Sequence, residues 1–135
     1  MATPITLKYE SFLRATIELP DDSSLTIDAP ATCGGCGESN PSPKDLFAAG
    51  YGSCVIMAMD ISAKKNGFDI AGASITVSPV WAQDKIQLAE VNATVLLPVS
   101  LAKDQLETLR KGVHICPIHN SLSPEVKTTL TFEVA

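Results

Sequence analysis

The residues of this sequence whose types could carry chemistry are its four cysteines and two histidines. They are Cys33, Cys36, Cys54, Cys116, His114 and His119. Cysteines can act as redox thiols, form disulfides or bind zinc, and histidines can bind zinc beside them. Four cysteines in 135 residues are too few for a disulfide scaffold. The sequence therefore predicts a reducing, cytoplasmic compartment.

Cys54 and Cys116 each have a structural and a chemical interpretation. Cys54 lies in a long apolar segment, where it is either a small buried hydrophobe or a redox thiol. A thiolate there needs a cation from elsewhere in the fold, because burial alone raises the pKa of a thiol. Cys116 precedes Pro117, so it either caps a short helix, where free amides favour a thiolate, or is a turn cysteine beside surface histidines.

Cys33 and Cys36 form a Cys-x-x-Cys in a Gly-rich loop. With Cys116 and His119 they make a Cys₃His set that could bind structural zinc. A labile Cys33–Cys36 disulfide, or no role at all, are the other interpretations. A thioredoxin-like role is not expected, because that motif belongs at a helix start after a strand.

Composition and charge exclude several classes of protein. The chain is 45% hydrophobic with a net charge of −5, which predicts one globular domain over residues 1–135. Without a basic run, binding to nucleic acid or an anionic membrane is not expected. The apolar stretches are expected to be too short to span a bilayer, and no signal peptide is visible. No serine nucleophile elbow occurs, so serine catalysis is not expected. No Gly-rich phosphate loop occurs either, and no cofactor is predicted.

Hydrophobic periodicity predicts six strands and two main helices in an α+β arrangement. The strands are predicted at residues 5–9, 14–19, 24–28, 73–81, 86–97 and 126–134. The helices are predicted at residues 43–65 and 100–111, with Gly112 as the stop of the second and a turn or short helix within 114–123. The order is βββ-α-ββ-α-β.

The first helix is predicted to be long, central and buried. Ser42-Pro43 is a helix start and Asn66-Gly67 a helix stop. Its middle is apolar or small on every side, which is typical of a buried helix. Small residues at 48, 49, 50, 52 and 53 would let another helix or a second subunit approach closely.

Two segments together resemble the OsmC/Ohr family, the osmotically induced and organic-hydroperoxide-resistance proteins. Residues 42–54, Ser-Pro-Lys-Asp-Leu-Phe-Ala-Ala-Gly-Tyr-Gly-Ser-Cys, resemble the signature of its central helix. Residues 114–122, His-Ile-Cys-Pro-Ile-His-Asn-Ser-Leu, resemble its second signature. The 62-residue separation of Cys54 and Cys116 and the order of elements also suit the family.

The resemblance implies an OsmC-like fold in an intertwined homodimer whose two central helices pack together. It also implies thiol-dependent reduction of organic hydroperoxides, with Cys54 as the nucleophile, Cys116 as its disulfide partner and an external dithiol as the reductant. No metal or other cofactor is implied. The substrate pocket is expected at the dimer interface, lined partly by Phe47, Tyr51 and Met57.

This sequence departs from the family pattern at the residues that activate the nucleophile. Family peroxidases pair it with an Arg from the N-terminal strands and a Glu in the first turn of the central helix. Lys44 stands at the Glu position, with Asp45 one residue on, and Arg14 is the sole Arg of the N-terminal region. The alternative is therefore a non-enzymatic OsmC-fold protein that binds a small ligand or senses redox state.

Overall fold

The elements follow the predicted βββ-α-ββ-α-β order in a computed structural model that describes residues 4–35, 40–84 and 86–135. The first strands and the long helix are β1 (Leu7–Ser11), β2 (Arg14–Glu18), β3 (Ser24–Asp28) and α1 (Pro43–Lys65). Then come β4 (Ser74–Trp81), β5 (Leu88–Leu97), α2 (Lys103–Gly112), α3 (Pro117–Asn120) and β6 (Lys127–Val134). Short 3₁₀ helices occupy Ala31–Cys33 and Val113–Ile115. The predicted α+β class is confirmed.

The chain divides into two compact units, Met1–Phe47 and Ala48–Ala135. The first contains an antiparallel sheet in the order β1-β2-β3. The second contains a sheet in the order β4-β5-β6, with β4 antiparallel and β6 parallel to the central β5. A single domain over residues 1–135 stays a prediction.

The hairpin between β1 and β2 holds two bulky residues in the left-handed region. Phe12 has φ 51° and Leu13 has φ 58°, and both side chains are exposed. Positive φ at both central residues is the pattern of a type I′ turn, which favours Asn-Gly. The backbone of this turn is therefore strained by its side chains.

Replacing Phe12-Leu13 with Asn-Gly is expected to stabilise the protein by about 1–2 kcal/mol, because the left-handed region then carries little steric cost. Urea unfolding measures the change. Phe12→Ala/Leu13→Ala is the control, since it removes the same exposed apolar groups but keeps a Cβ at both positions. Equal stabilisation by both pairs would contradict the strain explanation.

Helix α1 begins and ends where local signals predict. The Ser42 N–H donates to the Asp45 carboxylate at 2.9 Å, and the Asp45 N–H donates to Ser42 Oγ at 3.2 Å. This reciprocal pair caps the first turn. Gly67 follows the helix at φ 83°, and the Phe68 N–H donates to the Ala63 carbonyl at 3.1 Å. The end is a Schellman motif.

Only one side of α1 is buried, whereas its sequence, apolar or small on every side, predicted a fully buried helix. The buried residues of the helix are Tyr51, Gly52, Val55, Ala58, Met59 and Ala63. The other side is open, and Met57 and Ile61 are 64% and 47% exposed there. By length and composition α1 could cross a membrane, contrary to the expectation that every apolar stretch is too short. Its buried side identifies it as a core helix.

The sequence prediction for α2 needs two corrections. The helix begins at Lys103 rather than residue 100, and Gln105 Oε1 accepts from the Ala102 N–H at 2.9 Å. Gly112 is its last residue, but it has φ −59° and leads directly into the 3₁₀ helix Val113–Ile115. Glycine is needed here for close packing, because a Cβ would lie 2.8 Å from Ser62 Oγ and 3.2 Å from Met59 Cα.

Candidate thiol site

Two cysteines that are 62 positions apart in sequence lie together in the second unit. Cys54 is on α1 between its buried and exposed sides and is partly exposed, whereas Cys116 is fully buried at the start of α3. Both are free thiols, they line the same groove, and Cys54 contributes to raising the pKa of Cys116. This arrangement can pass between a dithiol and a disulfide.

Cys116 caps α3, which is the first of its two sequence interpretations, and its surroundings raise its pKa. Its Sγ accepts from the His119 N–H at 3.3 Å, which favours the charged form. Burial acts more strongly and raises the pKa of Cys116, and the hydrogen bond with Cys54 raises this pKa further. Burial therefore opposes the thiolate that the helix cap alone would favour at Cys116. The local argument from Pro117 left out the burial of this side chain.

An apolar groove of about 470 Å³ opens beside the two thiols. Met57 and Ile61 line it from α1, and Ile115, Pro117 and Ile118 line it from the Cys-Pro segment. Of the predicted pocket residues, Met57 thus lies here. None of the described residues that line the groove is charged. An apolar molecule could lie against these walls with its reactive end at Cys54.

Tyr51 does not line this groove, contrary to expectation. Its hydroxyl is 3.1 Å from His119 Nδ1, and both residues line a second cavity together with His114 and Arg110. Burial raises the pKa of Tyr51, and burial followed by the charge of His114 lowers the pKa of His119. Because the His119 N–H contacts Cys116 Sγ, the Tyr51–His119 bond ties the first turn of α3 to α1.

Tyr51→Phe is expected to lower the free energy of unfolding by about 1 kcal/mol, because a partly buried hydrogen bond is lost. Denaturant unfolding measures the loss. Tyr9→Phe is the matched control, since the Tyr9 hydroxyl accepts from the exposed Leu13 N–H at 3.2 Å. Water can replace the hydroxyl there, so its loss is expected to cost little. Equal losses in the two variants would contradict the anchoring role.

The candidate activating residues Arg14 and Asp45 both lie in the first unit. Arg14 forms a bidentate pair with Asp28, with Nε–Oδ1 at 2.7 Å and Nη2–Oδ2 at 3.1 Å. Asp28 is buried, and the Arg14 and Asn40 hydrogen bonds lower its pKa. Asp45 caps α1, and its position nine residues before Cys54 puts it roughly 180° around the helix. Asp45, the acidic residue in the first turn of α1, therefore has a capping role.

The remaining predicted residues that the structure describes, Cys33, Lys44 and Phe47, lie in the first unit. Phe47 and Lys44 are on the first two turns of α1, and neither lines the groove. Cys33 is an exposed free thiol at the end of the 3₁₀ helix Ala31–Cys33. Cys36 lies outside the described residues. The zinc set and the Cys33–Cys36 disulfide therefore stay predictions, and metal analysis of protein purified without chelator tests the first.

Sequence reasoning missed two parts of this site. The contact between Tyr51 and His119 joins residues 68 positions apart, which no local pattern shows. Ile115 and Ile118 complete the apolar wall. Their positions on both sides of Cys116-Pro117 were the available signal.

The fold and the thiol pair define a class of α+β proteins in which a cysteine on a long core helix meets a second cysteine from a Cys-Pro turn. The family model described as OsmC-like protein matches residues 35–131. The chain therefore belongs to the OsmC-like protein family. This confirms the family that the two signature segments predicted.

Individual relatives agree with this family. The organic hydroperoxide resistance protein of Xanthomonas axonopodis pv. citri is 29% identical to this chain. The match covers 97% of this chain and 99% of the Xanthomonas protein. A solved structure from Psychrobacter arcticus, of a protein assigned to osmotic stress and detoxification responses, has a TM-score of 0.87 at 26% identity and covers 98% of this chain and 97% of its own. The organic hydroperoxide resistance protein OsmC of Legionella pneumophila shares the fold, with a TM-score of 0.74, 24% identity and 98% coverage of both chains.

Proposed function

We propose that this protein is a cytoplasmic thiol peroxidase that reduces organic hydroperoxides through Cys54 and Cys116. The observation that carries the proposal is a partly exposed thiol, Cys54, and a buried thiol, Cys116, that line the same apolar groove. Relatives named for organic hydroperoxide resistance, at 29% identity, support the same activity.

The proposed reaction has three steps. The Cys54 thiolate attacks the terminal peroxide oxygen, so that the O–O bond breaks, Cys54 becomes a sulfenic acid and the alkoxide leaves as an alcohol after taking up a proton. Cys116 then attacks the Cys54 sulfur, a disulfide forms, and the hydroxide leaves as water with the Cys116 proton. An external dithiol reduces the disulfide by exchange and is itself oxidised.

The apolar groove predicts a preference for organic over inorganic peroxide. The organic group can be buried against Met57, Ile61 and Ile118, whereas hydrogen peroxide has no apolar part to bury. Each buried CH₂ contributes about 0.8 kcal/mol, or about fourfold in kcat/KM. Peroxide consumption with dithiothreitol, measured across a series of alkyl hydroperoxides, tests the proposal. Equal kcat/KM for hydrogen peroxide and the longest alkyl hydroperoxide would contradict it.

We also propose that the protein is a homodimer in which the open side of α1 contacts the same side of a second copy. Met57, Ile61, Ile115 and Ile118 are large apolar side chains exposed on one surface. Ser53 is exposed on the same side of α1, and a small side chain there allows close helix approach. A second copy would also help to close the groove.

The second candidate function is a non-enzymatic protein that binds a small apolar ligand or senses redox state. The absence of a charged side chain among the described groove-lining residues favours it, as does Lys44 at the position of the family's Glu. Under this function, the protein would consume peroxide slowly and in less than one equivalent per chain, while an apolar ligand would still bind.

A further inference from the structure

The second cavity of the Ala48–Ala135 unit is separate from the apolar groove and has a different character. It encloses about 240 Å³ between α1, α2, the 3₁₀ helix Val113–Ile115 and β6. Its polar lining residues are Tyr51, Arg110, His114, His119, Thr128 and Thr129. None of the described residues that line it is an acid, although the chain as a whole carries a net charge of −5.

Arg110 is held in place before any ligand binds. Its Nη1 donates to the Leu130 carbonyl at 3.2 Å, and its guanidinium carbon lies 5.1 Å from the centre of the Phe132 ring. Stacking on an aromatic ring fixes the plane of the guanidinium group. Such a planar fork matches the two oxygens of a carboxylate or phosphate.

The two histidines add hydrogen-bond donors beside Arg110. The rings of His114 and His119 meet edge to face with their centroids 5.8 Å apart. His119 is oriented by the Tyr51 hydroxyl, 3.1 Å from its Nδ1. An anion attracted by the Arg110 guanidinium could accept a hydrogen bond from each imidazole ring.

We propose that this cavity is a binding site for a compact oxyanion, a carboxylate or a phosphate, which Arg110, His114 and His119 bind together. The small volume limits the ligand to the oxyanion group and a few further atoms, since one water accounts for about 30 Å³ of liquid. Thr128 and Thr129 of β6 also line the cavity. The proposal of this site does not rest on the proposed peroxidase activity.

Occupancy of this site has a physical connection to the thiol pair. The His119 N–H donates to Cys116 Sγ, so a ligand that holds the His119 ring also holds this donor. A bound anion favours the imidazolium form and is expected to raise the pKa of His119, which burial and the charge of His114 lower in the free protein.

The test is an NMR titration of the imidazole signals in the reduced protein, without peroxide. Inorganic phosphate and propionate are added separately, and sodium chloride at equal ionic strength is the reference for screening. The expected result is a saturable shift of the His114 and His119 signals, with a rise in the pKa of both. Saturation by phosphate alone identifies a phosphate site, and saturation by propionate identifies a carboxylate site.

Arg110→Gln is expected to weaken binding at least about tenfold, because charge-assisted hydrogen bonds are lost. Lys111→Gln is the matched control, since it removes the same charge from the next, exposed position and is expected to bind as the unchanged protein does. If Arg110→Gln does not fold, His114→Gln replaces it, because His114 is exposed. Shifts no larger than those with chloride, or equal affinity in Arg110→Gln and Lys111→Gln, would overturn the proposal.

Discussion

Peroxide consumption is expected to fall by about a thousandfold or more in Cys54→Ser, because the nucleophile that breaks the O–O bond is removed. Cys116→Ser is expected to consume one equivalent of peroxide per chain and then stop, with Cys54 held as a sulfenic acid. A coupled peroxide assay measures both variants, and a dimedone adduct on Cys54 identifies the stalled species.

Cys33→Ser is the matched control for these variants. Cys33 is an exposed thiol in the first unit, so its removal is expected to leave peroxide consumption unchanged. Equal activity in Cys54→Ser and the unchanged protein would contradict the assignment of the nucleophile. Full turnover in Cys116→Ser would contradict the assignment of its disulfide partner.

Met57→Glu is expected to dissociate the proposed homodimer. The Met57 side chain is 64% exposed on the open side of α1, so a carboxylate there costs little in a single chain. In a helix–helix interface the same carboxylate would be buried without a partner, which costs several kcal/mol. Light scattering after size-exclusion chromatography measures the change in mass.

Val99→Glu is the control for Met57→Glu, because Val99 is 60% exposed, follows β5 and does not line the groove. The unchanged protein and Val99→Glu are expected at twice the chain mass of 14.3 kDa. Met57→Glu is expected at the mass of one chain. A single-chain mass for the unchanged protein would contradict the proposed dimer.

The parts of the fold that rest on local signals could be predicted from the sequence. Helix α1 begins at Pro43 and ends at Lys65, because its cap at Ser42 and its stop at Gly67 are both encoded within a few residues. The role of Gly112 could not be predicted, since it depends on packing against Ser62 and Met59. Ser62 is 50 positions before Gly112 in the sequence, so the sequence around Gly112 does not show this contact.

The candidate site shows the same division between local and distant contacts. That Cys116 caps a helix follows from Pro117, and the structure confirms the cap. That its pKa is raised follows from its burial and from Cys54, which no local pattern shows. The pairing of the two cysteines came from the resemblance to a family, because nothing in a 62-residue separation implies contact.

The most direct test of the proposed function is to map the cysteines after one equivalent of an organic hydroperoxide. The protein is reduced first, exposed to the peroxide for seconds, alkylated and analysed by intact mass and peptide mapping. The predicted result is the loss of two hydrogens and a Cys54–Cys116 disulfide. Unreacted Cys54, or oxidation confined to Cys33 and Cys36, would contradict the proposed peroxidase and favour the binding or sensing function.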